Sequence, residues 1–306
     1  MDDSFTALVI ATFGRHLLVR DAAGVDRKAR PFGRNLTIVC GDQVRCQEEP
    51  RNHETHVHEL LSRRNALYRT NLRGGSEPIL ANLSQLFVVL AVNPVPDLFV
   101  VDRYLAAATS AGIAATLVIN KCELGIGPAL QTELSAYGQA GYGWMACSVR
   151  SGEGLQKLQE ACQHAVTALV GQSGVGKSSL IARLVPDAQI GIGALVRAEE
   201  GRHTTTASRL FDLPGGGSLI DSPGVRDFAP AIDRLDAAHL GFIEVAQRAA
   251  ACRFGDCRHM REPGCAVIAA VSSGALHARR YESYRRLRRL YEDLHAARGP
   301  QHRGRR

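Results

Sequence analysis

The chain has 306 residues, 45% hydrophobic and 22% charged, and a formal net charge of +7. It can bury a sizeable core, and its length suggests two or three domains. No apolar run approaches the roughly 18 residues of a membrane span, and the start, Met1-Asp2-Asp3-Ser4-Phe5, carries no basic leader, so the expectation is a cytoplasmic protein without membrane contact.

Residues 1–75 read as all-β. Short alternating stretches such as Ala7-Leu8-Val9-Ile10 and His16-Leu17-Leu18-Val19 are separated by Gly and Asp turns, and Thr37 to Val44 reads as strand, tight turn, strand. Several short strands in this length fit a small closed barrel of the OB type. His56 and His58 fall on one face of a strand, with His53 nearby; Cys or acidic ligands are not obvious beside them, and a solvated or RNA-facing role suits them better than a metal.

From residue 76 to about 232 the period changes. Leu86 to Val92 is a continuous apolar run, as in a strand buried on both faces. Val101–Ala111 reads as a helix, and Thr116-Leu117-Val118-Ile119 as another buried strand. Strand and helix continue to alternate through Trp144–Cys147, Leu155–Ala165, Thr167–Val170 and Lys177–Leu184, which predicts a parallel α/β sheet. Pro214-Gly215-Gly216-Gly217 is a turn between two further strands. Residues 233–306 read as mostly helical around a Cys/His cluster, with a long helix carrying Tyr281, Tyr284, Leu287, Leu290, Tyr291 and Leu294 at helical spacing. Residues 277–306 hold ten Arg and three acids, 10 − 3 = +7, so the whole charge excess lies in this tail. Such a run is either an electrostatic footprint for nucleic acid or a solvated helix face.

Five short segments carry phosphate and base chemistry. Asn120-Lys121-Cys122-Glu123 matches N-K-x-D, in which a carboxylate accepts two hydrogen bonds from the guanine edge that adenine cannot supply; here the acid is Glu, one methylene longer. Ser148-Val149 stands where a base-supporting S-A pair belongs. Gly171-Gln172-Ser173-Gly174-Val175-Gly176-Lys177-Ser178-Ser179, after a strand and before a helix, is a P-loop. Its glycines let backbone N–H groups close around phosphates; Lys177 would contact the β- and γ-phosphates and the Ser178 hydroxyl would hold Mg²⁺. Thr204 and Thr205, with His203 beside them, occupy the position of a switch threonine. Asp221-Ser222-Pro223-Gly224 is a D-x-x-G: Asp221 would reach Mg²⁺ through water and the Gly224 N–H would sense the γ-phosphate. Val225 follows, where many GTPases place a glutamine that orients water. The expectation is slow intrinsic turnover, with the group supplied by a partner or by His203. Only four lysines exist, and two of them, Lys121 and Lys177, lie in these segments.

Cys252, Cys257, His259 and Cys265 offer three thiolates and an imidazole on one short loop. The set suits tetrahedral Zn²⁺ with no open position, a structural ion pinning a segment too small to hold its own core. The remaining cysteines, Cys40, Cys46, Cys122, Cys147 and Cys162, read as scattered buried thiols.

The usual GTPase order begins with the P-loop; here N-K-x-E precedes it, so the core is circularly permuted. The order, the three-part layout and the Cys/His spacing resemble the bacterial ribosome small-subunit-dependent GTPase A family, also called RsgA or YjeQ. The resemblance extends to Arg64-Asn65-x-Leu67-x-Arg69, Ala81-Asn82, Asp102-Arg103-Tyr104-Leu105 and the hydrophobic Val225, and covers nearly the whole chain. It departs at Glu123 and Val149, both in base recognition. It implies an N-terminal OB-fold, a permuted α/β GTPase domain and a C-terminal zinc domain. It also implies a late factor in small-subunit assembly that binds that subunit and its rRNA and uses GTP/GDP, Mg²⁺ and one structural Zn²⁺. Contacts with other assembly factors and a monomeric state complete the expectation. Two other readings compete: an RNA-binding module whose nucleotide is mainly structural, and an ATP-using relative, suggested by Glu123. Because the zinc segment follows the D-x-x-G so closely, loss of the γ-phosphate is expected to move it.

Overall fold

In the computed structural model the described residues are 4–14, 16–33, 36–49, 54–71, 74–185, 208–222 and 228–297. Five strands close into a barrel. β1 (Ser4–Phe13) pairs with β2 (His16–Asp21), β2 with β3 (Asp26–Pro31), β3 in parallel with β5 (Thr55–Leu60), β5 with β4 (Gln43–Glu48), and β4 again with β1. β1 pairs with β4 over Ser4–Leu8 and with β2 over Ala7–Phe13, the second ladder shifting register between Val9 and Ala11. Ala7, Val9, Leu17, Val19, Ala29, Val44, Cys46 and Val57 point inward and fill the barrel, which explains the alternation seen in the sequence.

A hairpin, β6 (Ala66–Thr70) and β7 (Ser76–Ala81), forms a separate small sheet that straddles the boundary expected at residue 75. It is clamped to the barrel. Gly41 has φ +92°, and a Cβ there would sit 2.1 Å from the Ala81 carbonyl oxygen, so only glycine permits this approach. Asn82 Nδ2 donates to Gly41 O at 2.8 Å, and the Arg64 guanidinium donates to the carbonyls of Asn82 and Leu83 at 3.0 Å each.

The α/β sheet has the order β10 (Gly143–Ala146), β9 (Ala114–Asn120), β8 (Gln85–Ala91), β11 (Val166–Val170), β13 (Ser218–Asp221), β12 (Ser208–Asp212). The first five strands are parallel. The last pair is antiparallel, as the turn read at residues 214–217 between these two strands requires. The turn at residues 214–217 is far too short for a parallel crossover. β8 is buried on both faces: Leu86, Val88 and Leu90 face α1 (Leu98–Ser110) and α2 (Pro128–Gln139), while Phe87, Val89 and Ala91 face α3 (Leu155–Ala161) and α4 (Lys177–Leu184). α3 ends four residues before the expected Ala165, because the chain turns through His164, at φ +57°, to start β11. β12 pairs on its free edge with β1, Ala11 opposite Arg209 and Thr12 opposite Ser208, so barrel and α/β sheet are one continuous sheet. Arg20 bridges the joint, bonding Asp26 at 2.6 Å and Asp212 at 2.5 Å.

The C-terminal helices are α5 (Ile243–Ala249), α6 (Ala266–Ser272) and α7 (Ala278–Ala297). They share a core of Leu240, Phe242, Val245, Val267, Leu276, Tyr284 and Leu287, into which Ala106 of α1 also packs. A buried ionic cluster holds them to the α/β region. Asp102, 1% exposed, accepts from Tyr137 Oη at 2.7 Å, Arg279 Nη1 at 2.5 Å and Arg280 Nη1 at 2.6 Å. Arg280 also donates to Glu244 at 2.7 Å, and Arg279 to Glu133 at 2.5 Å. The arginine-rich helix is therefore not a free basic face. Arg288 donates to the carbonyls of Ala237 and Ala238, Arg285 pairs with Glu282, and Arg286 lies 3.9 Å over the Phe99 ring. Residues 298–306, with the other four arginines of the tail, lie outside the described residues. Among the described residues no helix is long and apolar enough to cross a membrane.

Removing Asp102 takes one of the two acidic partners from the buried Arg280 and from Arg279, so Asp102→Ala is expected to cost about 3–5 kcal/mol of unfolding free energy by urea titration. The exposed Asp26→Ala should cost less than about 1 kcal/mol in the same assay.

Candidate functional site

Asn120–Glu123, Ser148–Val149, the glycine loop from Gly171 and Asp221 converge at the carboxyl ends of the parallel strands, where ligands of open α/β sheets bind. β11 runs out into Gly171 and the loop ends at the N-terminus of α4. A Cβ on Gly171, at φ +144°, would sit 2.1 Å from Val89 O; on Gly176, at φ +94°, it would sit 2.3 Å from Asn120 Nδ2. The loop is thus wrapped against β8 and the Asn120 side chain, with room for neither side chain. Lys177 is buried, and its Nζ donates to the carbonyls of Gly171 and Gln172 at 2.6 Å each, which holds the ammonium group inside the loop. Ser178 and Ser179 are exposed on the first turn of α4, where N–H groups and the helix dipole favour an anion.

Asn120, at the end of β9, donates from Nδ2 to Val175 O at 2.8 Å. Lys121, at φ +60°, turns back across the loop, and its Nζ donates to Asn93 O and Gly174 O at 2.8 Å each. The Asn120–Glu123 segment and the glycine loop, about fifty residues apart in sequence, are therefore stitched together by side chain to backbone bonds. Cys122 N donates to Cys147 O at 3.1 Å, which brings the Ser148 turn alongside. Ser148 is buried; its Oγ accepts from Ser151 N at 2.9 Å, and Val149 packs on the core beneath. A hydrogen bond from Ser148 holds the exposed Glu123 carboxyl below its ordinary range. A Glu ionised and tethered in this way presents the acceptor that a guanine edge requires. Gln172 also accepts from Asp97 N at 2.8 Å, tying the loop to the start of α1. Neither that contact nor the Asn93 carbonyl could be read from the sequence, since no pattern marks either.

Asp221 closes β13 beside β11, and the following Ser222 bonds Ser208 at 2.6 Å, Oγ to Oγ. His203, Thr204, Thr205, Gly224 and Val225 lie outside the described residues. The chain beyond is pinned. Phe228 is buried against Tyr104 at 5.4 Å, Thr70 N donates to Ala229 O, Ala231 N donates to Tyr68 O, and Arg234 stacks on Tyr68 at 4.6 Å. The segment after the D-x-x-G thus adds to the β6–β7 hairpin before it reaches the C-terminal helices.

The second site is the cluster Cys252, Cys257, His259 and Cys265, whose ligand atoms all lie within 4.8 Å of one another. Cys252 and Cys265 place Sγ at 3.5 and 3.4 Å from His259 Nδ1, and 3.9 Å from each other. The edges of a tetrahedron built on Zn–S and Zn–N bonds are about 3.8 Å for S···S and about 3.5 Å for S···N, so the donor set fits zinc. Burial, helped by Arg288, lowers His259, keeping the imidazole in its neutral, ligating form. Its backbone, at φ +60°, is held by Tyr281 Oη donating to His259 O at 2.8 Å. If these four groups hold a structural zinc, the purified protein carries about one equivalent by elemental analysis, and Cys265→Ala loses it with a drop in melting temperature.

A family model described as RsgA GTPase matches residues 60–230. The small ribosomal subunit biogenesis GTPase RsgA of Ectopseudomonas mendocina (strain ymp) is 40% identical over 291 residues, covering 92% of this chain and 84% of that protein. The protein of the same name from Azotobacter vinelandii (strain DJ / ATCC BAA-1303) is 40% identical over 288 residues, with the same coverage. Among solved structures, YloQ, described as a circularly permuted GTPase, superposes with a TM-score of 0.71 at 24% identity, covering 95% of this chain and 96% of its own. YjeQ from Thermotoga maritima gives 0.70 at 24% identity, covering 99% and 100%; at that identity the likeness is one of fold. With the family model spanning more than half of the chain and relatives at this identity covering 92% of it, the chain belongs to the RsgA GTPase family.

Proposed function

We propose that this protein is a GTPase of small ribosomal subunit biogenesis, which binds the subunit and its rRNA late in assembly and hydrolyses GTP to GDP and phosphate. The observation that carries this reading is the stitching of Asn120 and Lys121 onto the P-loop at the carboxyl ends of the parallel strands, which supports a base-reading carboxylate beside a phosphate cradle. The relatives at 40% identity are named as small ribosomal subunit biogenesis GTPases. In this reading Gly171 to Gly176 wrap the phosphates, and Lys177 exchanges its two carbonyl partners for β- and γ-oxygens. Ser178 and Asp221 hold Mg²⁺, and Thr204, Thr205 and Gly224 sense the γ-phosphate. Glu123 and Ser148 read guanine, with Cys122 and Val149 lining the base side. The divisions 1–75, 76–232 and 233–306 serve as RNA-binding barrel, GTPase and zinc-stabilised helical module, in a cytoplasmic monomer.

Val225 supplies no amide to orient water, so turnover depends on a group brought by the subunit or on His203. Steady-state GTP hydrolysis should be slow for the protein alone and rise by roughly 100-fold or more with small subunits, as for an added water-positioning group. No stimulation, with GTP still bound, would favour the reading in which the nucleotide is structural. Lys177→Ala should lower subunit-stimulated kcat/KM by roughly 10²–10³-fold, the loss of one preorganised transition-state donor.

The longer Glu123 sets the base preference. Competition binding should show GTP displacing labelled GDP where ATP does not. Glu123→Ala should weaken GTP by roughly 10- to 150-fold, the worth of a hydrogen bond to a charged acceptor, while ATP stays unchanged. Equal displacement by ATP in the parent protein would instead identify an ATP-using relative.

A further inference from the structure

The outer face of the barrel carries a feature that nucleotide chemistry leaves unused. Phe32 follows β3 and is 63% exposed. It is nevertheless fixed: Phe32 N donates to Val57 O at 2.8 Å, extending the β3–β5 pairing by one residue. One face of its ring stacks on His58, centroids 4.6 Å apart and planes at 29°, and its edge meets His56 at 6.0 Å and 84°. An aromatic ring held on one face and open on the other is a platform for a second flat group. Its chemical surroundings narrow the choice. Lys28 and Arg30, both exposed, flank the inward Ala29 on β3, so they stand about 6.6 Å apart on the side that carries Phe32. Arg30 Nε donates to His16 Nδ1 on β2 at 3.3 Å, which directs the guanidinium toward β2. On the opposite margin Glu49 and Glu54 lie 3.5 and 3.7 Å from His56 Nε2. An anionic strand is thus attracted over β3 and β2 and repelled at the far side of His56.

We propose that this face binds single-stranded RNA, one unpaired base stacking on the open side of Phe32, backed by His58, with the flanking phosphates on Arg30 and Lys28. The proposal rests on the reading of this chain as a factor that contacts the RNA of the small subunit, and it names where and in what form that RNA is held. Stacking on an exposed ring needs an unpaired base, and the alternating cations supply the sequence-independent attraction. A duplex, whose bases are already stacked, gains only the charge component.

The test is fluorescence anisotropy with a labelled single-stranded RNA of about 12 nucleotides, the same RNA annealed to its complement, and isolated small subunits. Phe32→Ala is expected to weaken the single strand by roughly 5- to 150-fold and to leave the duplex nearly unchanged, while Phe32→Tyr binds like the parent. The double substitution Lys28→Gln, Arg30→Gln should weaken single strand and duplex alike and flatten the salt dependence. The thermal midpoint should not move, since Phe32 is largely in solvent. The proposal is overturned if the parent ignores the single strand, if Phe32→Ala binds it as tightly as the parent, or if single strand and duplex lose affinity equally. Loss of subunit binding with single-strand affinity intact also overturns it, because the occupant would then be a ribosomal protein. Absence of subunit-stimulated GTP hydrolysis, with the Phe32→Ala defect on single-stranded RNA present, would sink the proposed function and leave this site standing.

Discussion

β12 is the strand on which the rest of the architecture turns. One edge is hydrogen-bonded to β13, which ends in Asp221, and the other to β1 of the barrel. In sequence it lies between the Gly201–Thr206 segment and the D-x-x-G. The two segments are therefore joined by a hairpin, β12–β13, whose first strand is also a barrel neighbour, and the Arg20–Asp212 ion pair reinforces the joint. Backbone ladders are stiff because each bond depends on its neighbours' register. Whatever the nucleotide does to the ends of β12 is offered directly to the barrel.

The C-terminal module is connected differently. Permutation places it just after the D-x-x-G, which suggests a direct pull on the zinc segment. The structure interposes two anchors. Residues 228–234 are fastened to the β6–β7 hairpin and to Tyr104, and α7 is bolted to α1 through Asp102. A buried ion pair with every partner in place resists separation, since splitting it exposes charge to a medium that cannot solvate it. The chain from residue 228 accordingly meets the hairpin before it reaches the C-terminal helices.

The same cluster changes the meaning of the net charge. The excess positive charge lies in one tail, yet its first arginines are spent inside the molecule on Asp102, Glu133, Glu244 and backbone carbonyls. Aromatic rings complete the setting: Arg280 lies 4.7 Å from the Phe242 centroid and 5.2 Å from that of Tyr137. Charge counted along a chain says how much attraction is available, not where it is delivered.

The amino-acid sequence by itself determined the local chemistry. Alternation announced the barrel strands, the run at Leu86–Val92 announced a strand buried on both faces, and the glycine spacing of the P-loop and the four soft ligands announced their sites, because each is encoded within a few neighbouring residues. Motif order revealed the permutation for the same reason. Only the tertiary structure decided what lies beyond such local signals: the pairing of β12 with β1, the early end of α3 at the His164 turn, the bonds from Asn120 and Lys121 to the P-loop, and the burial of Arg280 against Asp102. These contacts carry no periodicity or spacing in the chain. They arise when packed layers bring side chains together, and the low dielectric of the interior then fixes which charges must pair.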